Sequence, residues 1–385
     1  MTYATRTSHL KPEGAYQVLA KANQLQAAGR EIIHFEIGQP DFDTFANIGL
    51  AGIRAISESR TRYTSPAGMP SLREVIAEDC GRRRGILIEV DEVVVGPGAK
   101  PALFFPTLAL VEPGDEVIYP DPGFPTYEAM IRLADGVPVA VPLLEENNFS
   151  FDLDVFDRLV NANTKLIILN SPGNPTGGVM PQADLEHIAE KAQQYECWVM
   201  SDEIYTRIAY DGIKVPSIAS IPGMQERTII VDGFSKTYAM TGWRLGYGIM
   251  PRELAKRVNL LLTHSVGSTA EFTQFAGMEA ILGPQEQVEA VVAEYQRRRD
   301  VIVPLLNALP GFNCQTPQGA FYAFPNIKAT GMSSNELANL ILDKAGVALL
   351  PGSSFGANGE GYLRLSYATS IDIIKLGLER IQSVL

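Results

Sequence analysis

Between residues 93 and 249, short apolar runs alternate with longer segments whose apolar residues repeat at helical spacing. This alternation limits the fold more than any other feature of the chain. The runs lie at 93–95, 116–119, 137–141, 165–169, 198–201, 228–231 and 244–249. Helical periods cover 71–84, 99–110, 125–133 and 181–195. Runs this short and this apolar read as strands buried on both faces. Strands threaded by helices predict an α/β fold, with a large domain built on a seven-stranded, mostly parallel sheet covered by helices. Such sheets take ligands outside the carboxyl ends of their strands.

The flanking segments differ. Residues 13–29 read as a helix, with Val18, Leu19, Ala22 and Leu25 as its apolar stripe and Gly29 past its end. Residues 32–37 read as a short strand. From about 285 a long helix runs to the Leu305 region, followed by strands at 321–324, 347–350 and 362–366 and a closing helix from Ile371. These parts predict a smaller α+β domain. The expected division is 39–284 for the large domain, 13–38 with 285–385 for the small one, and 1–12 as an N-terminal arm.

With 385 residues, 46% of them hydrophobic, the chain can bury two sizeable cores. A net charge of −12 argues against nucleic acid as a partner. No apolar stretch is long enough to span a bilayer, so no membrane partner is expected. The first nine residues lack the apolar core of a signal peptide, which makes a cytoplasmic location the expectation. Cys80, Cys197 and Cys314 are far apart and read as reduced thiols. The four histidines, His9, His34, His187 and His264, are scattered, so no metal site is expected.

The candidate chemistry centres on the run from Gly233 to Tyr247. It places Lys236 between Ser235 and Thr237, with Arg244 eight positions on. A lysine amine condenses with an aldehyde to form a Schiff base. Ser235 and Arg244 can hold an anion beside it. An aldehyde and a phosphate on one small molecule suggest pyridoxal 5′-phosphate. A P-loop needs a glycine directly before its lysine, and Ser235 stands there instead. Asp202 and Tyr205 follow the run at 198–201, and Asn174 follows the run at 165–169, so both groups can meet Lys236 at one sheet edge.

Together these separated segments resemble the class I/II pyridoxal-phosphate-dependent aminotransferase family, of the fold type I shared with aspartate aminotransferase. The resemblance runs from about Lys11 to the C-terminus. It implies that Lys236 carries the cofactor and, once freed, moves the substrate's Cα proton. An unperturbed lysine is too basic for that at neutral pH, and crowding by Arg244 with partial desolvation would lower it. Asp202 would keep the ring nitrogen protonated. Tyr205 would donate to the ring oxygen, and Asn174 to that oxygen or to the substrate carboxylate. Phe124 would stack on the ring.

Ser235, Arg244 and the helix start at Gly98, Ala99 and Lys100 would hold the phosphate. Tyr63 matches a tyrosine that reaches the phosphate from the partner subunit, which implies a homodimer with shared active sites. Arg364, with Gly38 opposite, would clamp the substrate α-carboxylate. Lys100 matches a lysine that holds a distal carboxylate, which points to glutamate/2-oxoglutarate or aspartate as one partner. One departure stands out. Glu13-Gly14 replaces small hydroxyl residues at the pocket mouth, where Glu13 could repel a second carboxylate, neutralise Lys100 or attract an amine. The implied function is ping-pong transfer of an amino group between an amino acid and a 2-oxo acid through a Schiff base on Lys236. The alternative is a lyase on the same fold, of the C–S lyase or cyclopropane-forming type.

Overall fold

β-Branched residues crowd the expected strands, as in Val93–Gly96, and such side chains pack well on a pleated surface. In the computed structural model these runs pair into one eight-stranded sheet. The structure describes residues 4, 7, 8, 10 and 12–385. Residues 1–3, 5, 6, 9 and 11 of the expected arm 1–12 lie outside the described residues.

The sheet order is Val93–Gly96, Gly246–Ile249, Thr228–Gly233, Trp198–Asp202, Thr164–Asn170, Glu116–Asp121, Val137–Leu144 and Ser150–Phe151. Neighbours from Thr228–Gly233 to Val137–Leu144 pair in parallel. Gly246–Ile249 runs against both of its neighbours. All seven expected strands are present. The eighth, Ser150–Phe151, is an antiparallel edge of two residues and is too short to leave a run in the sequence. The strand expected at 244–249 starts only at Gly246. Arg244 has φ +51°, a left-handed conformation no strand residue adopts.

Pro70–Arg84, Lys100–Leu110, Thr126–Leu133 and Gln182–Gln194 form close to the expected helices. Three further helices are Ala46–Ser57, Arg252–Thr263 and Glu271–Leu282. Gly52 lets the first of these approach the last: a Cβ there would lie 2.6 Å from the Trp243 ring and 3.8 Å from Ala276. Among the described residues, no helix is long and apolar enough to cross a membrane.

The long helix is Glu286–Asn307. Around it lie two small sheets, Ile33–His34 parallel to Val347–Ala348, and Tyr322–Ala323, Leu363–Ser366 and Leu350–Pro351 in antiparallel order. The strand expected at 347–350 therefore splits between two sheets. Those at 32–37 and 321–324 pair over two residues each. Phe35 shows why. Its N–H donates to Ala348 O at 2.8 Å, while its C=O accepts from Ser366 N–H at 2.8 Å, so the chain crosses from one sheet to the other at that residue.

One buried ion pair braces the sheet edge. Arg84 Nε and Nη2 both donate to Glu203 Oε2, at 2.8 and 2.6 Å, and both side chains are buried. Ser201 and Ser217 hydroxyls donate to the other oxygen at 3.0 and 2.5 Å. Removing one partner of a buried pair leaves an uncompensated charge, which costs about 3–5 kcal/mol. Arg84→Leu should therefore lower the urea midpoint of unfolding by that equivalent, measured against Arg54→Leu, whose partner Glu58 is exposed.

Candidate active site

The parallel ladder sets Asn170 opposite Asp202 and Asp202 opposite Val231, two residues before Gly233. Three strand ends therefore deliver polar side chains to one edge. Asn170 ties two of them together. Its Oδ1 accepts from Asn174 N–H at 2.8 Å, and its Nδ2 donates to Asp202 O at 3.0 Å.

Lys236 follows the strand Thr228–Gly233, anchored by the buried Phe234. Its Nζ donates to Gly38 O at 2.6 Å and lies 5.9 Å from the Tyr205 ring centre and 5.8 Å from that of Phe321. Burial lowers its pKa to about 8; the Arg364 and Arg244 charges push the same way, and Asp202 opposes them. A substantial fraction of the amine is thus neutral and nucleophilic near neutral pH.

Asp202 is buried at its strand end. Tyr127 Oη donates to its Oδ2 at 2.7 Å and Ile204 N–H to its Oδ1 at 3.3 Å. Burial raises its pKa to about 6 against those two hydrogen bonds, with the Asp232 and Glu203 charges adding to the rise. A cation placed beside this carboxylate would bring the pKa down again.

Arg364 lies buried on the strand Leu363–Ser366. Its Nη1 donates to Asn174 Oδ1 at 3.1 Å and its Nη2 to Glu36 O. Tyr322 and Phe355 flank the guanidinium, with ring centres at 4.6 and 4.9 Å. Its Nε has no hydrogen-bond partner, an orphaned donor in a buried position. Burial lowers its pKa.

Gly98 has φ +87°, and a Cβ there would lie 2.2 Å from Arg244 Nη2. Arg244 Nη1 is held by Thr241 O at 2.8 Å. The helix Lys100–Leu110 begins here with no side-chain cap; Gly98 N–H donates to Gly96 O and Ala102 N–H to Ala99 O, which leaves the N–H groups of Ala99 and Lys100 to face an anion. Ser235, which precedes Lys236 in the chain, is half-buried. An open cleft of about 640 Å³ adjoins the cradle, with Pro97, Thr241, Trp243, Arg244 and Ser268 on its walls.

At the other rim, Lys100 Nζ pairs with Glu13 Oε1 at 2.5 Å and lies 5.2 Å from the Phe124 ring centre. Phe124 meets Tyr127 edge-on at 5.8 Å. Tyr63 does not join this cluster within one protomer; its ring is 98% exposed.

Sequence reasoning missed Tyr127, Asn170, Glu36 and Tyr322. Tyr322 Oη bonds Tyr205 Oη at 2.7 Å, and a Cβ on Gly38 would collide with that hydroxyl. Asn170, a polar residue closing an apolar run, carried a readable signal. The others looked like core or strand residues.

Pyridoxal 5′-phosphate matches this donor set: an anion cradle that a Cβ on Gly98 would fill, a lysine amine of lowered pKa, a buried carboxylate and a guanidinium with a free donor. Among known proteins, a model of aminotransferase class I and II matches residues 30–381. An aspartate aminotransferase of Pyrococcus horikoshii is 40% identical over 385 residues, covering 99% of this chain and 97% of that relative. A probable aspartate/prephenate aminotransferase of Aquifex aeolicus is 41% identical over 388 residues, with 99% and 98% covered. The solved aspartate aminotransferase from Thermus thermophilus with maleate superposes at TM-score 0.95 and 37% identity, covering 100% of both chains.

The electrostatics predict how Lys236 titrates. In cofactor-free protein, reaction of this amine with a small acylating reagent should rise with pH about a midpoint near 8, below the ordinary lysine value of 10.5. Arg364→Leu should move that midpoint upward, because it removes a cation that favours the neutral amine. Site-resolved mass spectrometry of the labelled lysine checks both.

Proposed function

The chain belongs to the class I and II aminotransferase family, and from that premise we propose that it exchanges an amino group between an L-amino acid and a 2-oxo acid, with glutamate/2-oxoglutarate or aspartate as one partner. The family's enzymes depend on pyridoxal 5′-phosphate. Relatives across the full chain are named as aminotransferases, so the lyase alternative is not favoured. The observation that carries the reading is the Lys236 amine, on which Asp202, Arg244 and Arg364 all act.

When bound, the cofactor supplies an aldehyde that captures amines and a ring that takes up the electrons released at Cα. Arg244, Ser235 and the N–H groups of Ala99 and Lys100 would bind its phosphate, with Gly98 leaving room for its approach. Asp202 would hold the proton on the ring nitrogen, steadied by Tyr127. Tyr205 and Asn174 would donate to the ring oxygen, and Phe124 would cover one ring face. Arg364 would turn its free Nε and an Nη toward the substrate α-carboxylate, a planar, charge-assisted pairing. Gly38 would close over the same carboxylate. Lys236 would take the proton from the substrate Cα and deliver it to the carbon that was the cofactor's aldehyde, a role suited to an amine of pKa about 8.

A dicarboxylate partner is supported by Lys100 at the rim and by the maleate in the solved neighbour, itself a dicarboxylate. A homodimer is supported by the 98% exposed Tyr63 and by Leu50, Ile53 and Ile56, all exposed on the helix Ala46–Ser57 that precedes it. Sharing the site would bring Tyr63 to the partner's phosphate cradle. The division into 39–284 as cofactor domain, with 13–38 and 285–385 as the small domain, is part of the same reading. It is supported by the main sheet lying wholly within 93–249. A cytoplasmic location is supported by three free, buried cysteines.

Half-reactions across a panel of amino acids test the proposal. Glutamate or aspartate should convert the bound cofactor to its amine form, and failure of both would sink the dicarboxylate assignment. Lys236→Ala should abolish turnover and the visible band of lysine-bound cofactor while circular dichroism stays unchanged. Arg364→Leu should raise KM roughly 10- to 100-fold, the worth of charge-assisted hydrogen bonds, with a smaller effect on kcat. Sedimentation should show twice the 41.9 kDa chain mass, and Leu50→Asp with Ile53→Asp should shift it toward the monomer.

A further inference from the structure

Glu13 occupies a cation at the rim, Lys100, that an incoming second carboxylate would seek. Its Oε1 lies 2.5 Å from Lys100 Nζ, with the Thr126 hydroxyl at 3.5 Å. Lys100 in turn sits over Phe124, and Phe124 reaches Asp202 through Tyr127, so the pair borders the reacting centre. The Glu13 charge also acts on Arg364. Glu13 has no local structural duty that would explain its place. It stands at the N-cap of the helix Gly14–Ala27, yet its side chain makes no capping hydrogen bond. Gly14 fixes the segment tightly, since a Cβ there would lie 2.5 Å from Ser354 Oγ. The carboxylate is therefore held against Lys100 by its backbone.

Resting on the aminotransferase reading, we propose that Glu13 is a built-in substitute for a substrate's distal carboxylate. With an uncharged amino acid the Glu13–Lys100 pair stays closed and presents no bare charge to an apolar side chain. With a dicarboxylate, the substrate oxygen displaces Glu13 and takes Lys100. Lys100 is 52% exposed and Glu13 27%, so the pair is solvent-screened and weak enough to exchange. An isolated charge against an apolar side chain would be costly, and the pair removes that cost. One pocket thus serves two substrate classes, dicarboxylic and uncharged.

The test uses the holoenzyme and half-reaction kinetics with glutamate, aspartate, alanine and phenylalanine. Wild type should convert members of both classes. Glu13→Gln should raise the ratio of dicarboxylate to uncharged kcat/KM roughly three- to tenfold, the range of a weak exposed charge pair and the repulsion removed with it. In a Lys100→Gln background, Glu13→Gln should still ease dicarboxylate entry but by a smaller factor, because the competition for the amine is gone. The cofactor spectrum and circular dichroism confirm an intact site in each variant. Equal shifts for both classes with Glu13→Gln, or a fall in the ratio, would overturn the exchange. A wild type that converts only dicarboxylates would overturn the two-class pocket while leaving the aminotransferase reading standing. Failure to convert any amino acid would instead remove the aminotransferase reading, and this proposal with it.

Discussion

The site depends on the register of one parallel ladder. Asn170, Asp202 and Val231 stand side by side because Thr164–Asn170, Trp198–Asp202 and Thr228–Gly233 pair without slippage. A one-residue slip would turn Asp202 to the opposite face of the sheet. The interior keeps the register in place: Leu166, Ile168, Val199, Met200, Ile229 and Val231 are all buried, on both faces of the sheet. The same ladder points every carboxyl end one way, so Asn174, Tyr205 and Lys236 arrive on the loops that leave a single edge. Position at the site is thus a consequence of packing far from it.

Charge is the second constraint. Lys236 stands where the charges of Arg364, Arg244 and Asp202 all reach it. Burial favours the neutral forms of Lys236, Asp202 and Arg364. The cations hold Lys236 low, and Asp202 resists that shift without cancelling it. Asp202 itself, lacking an adjacent cation in its pocket, is pushed upward by burial. These are complementary deficits: a carboxylate short of a cation, a guanidinium with an unused Nε, and an amine made nucleophilic by its neighbours. A small molecule carrying a basic ring nitrogen and an aldehyde, bound with an amino acid's carboxylate, satisfies all three. Outside this centre, the buried guanidiniums of Arg84 and Arg299 are paired, with Glu203 and Asp211.

The N-terminal segment joins the two ends of this arrangement. Through Phe35 it bridges both small sheets, through Glu36 it holds Arg364, through Gly38 it holds Lys236, and through Glu13 it covers Lys100. Arg364, Lys236 and Lys100 are therefore tied to one stretch of backbone. Tyr322 completes it, wedged against Gly38 with its hydroxyl on Tyr205 and its ring under Arg364. Local pattern marks its helix and strand but not this role, which lies in contacts with residues 87 or more positions away.

Much was readable from residue order alone. Seven strands, the helices threaded between them, and Asp202, Tyr205 and Asn174 follow from apolar periodicity and from polar residues placed where apolar runs stop; Lys236 and Arg244 stand out by their spacing, and Arg364 by the family resemblance. Those are local properties, set by side-chain chemistry within a few positions. Tertiary structure decided the rest: the two-residue strand Ser150–Phe151, the left-handed turn at Arg244, the split of 347–350 between two sheets, and the partners Tyr127, Tyr322 and Glu36. Each depends on a neighbour distant in sequence, either a strand to pair with or a charge to face. Spacing along one chain carries no information about which distant groups will share a low-dielectric pocket.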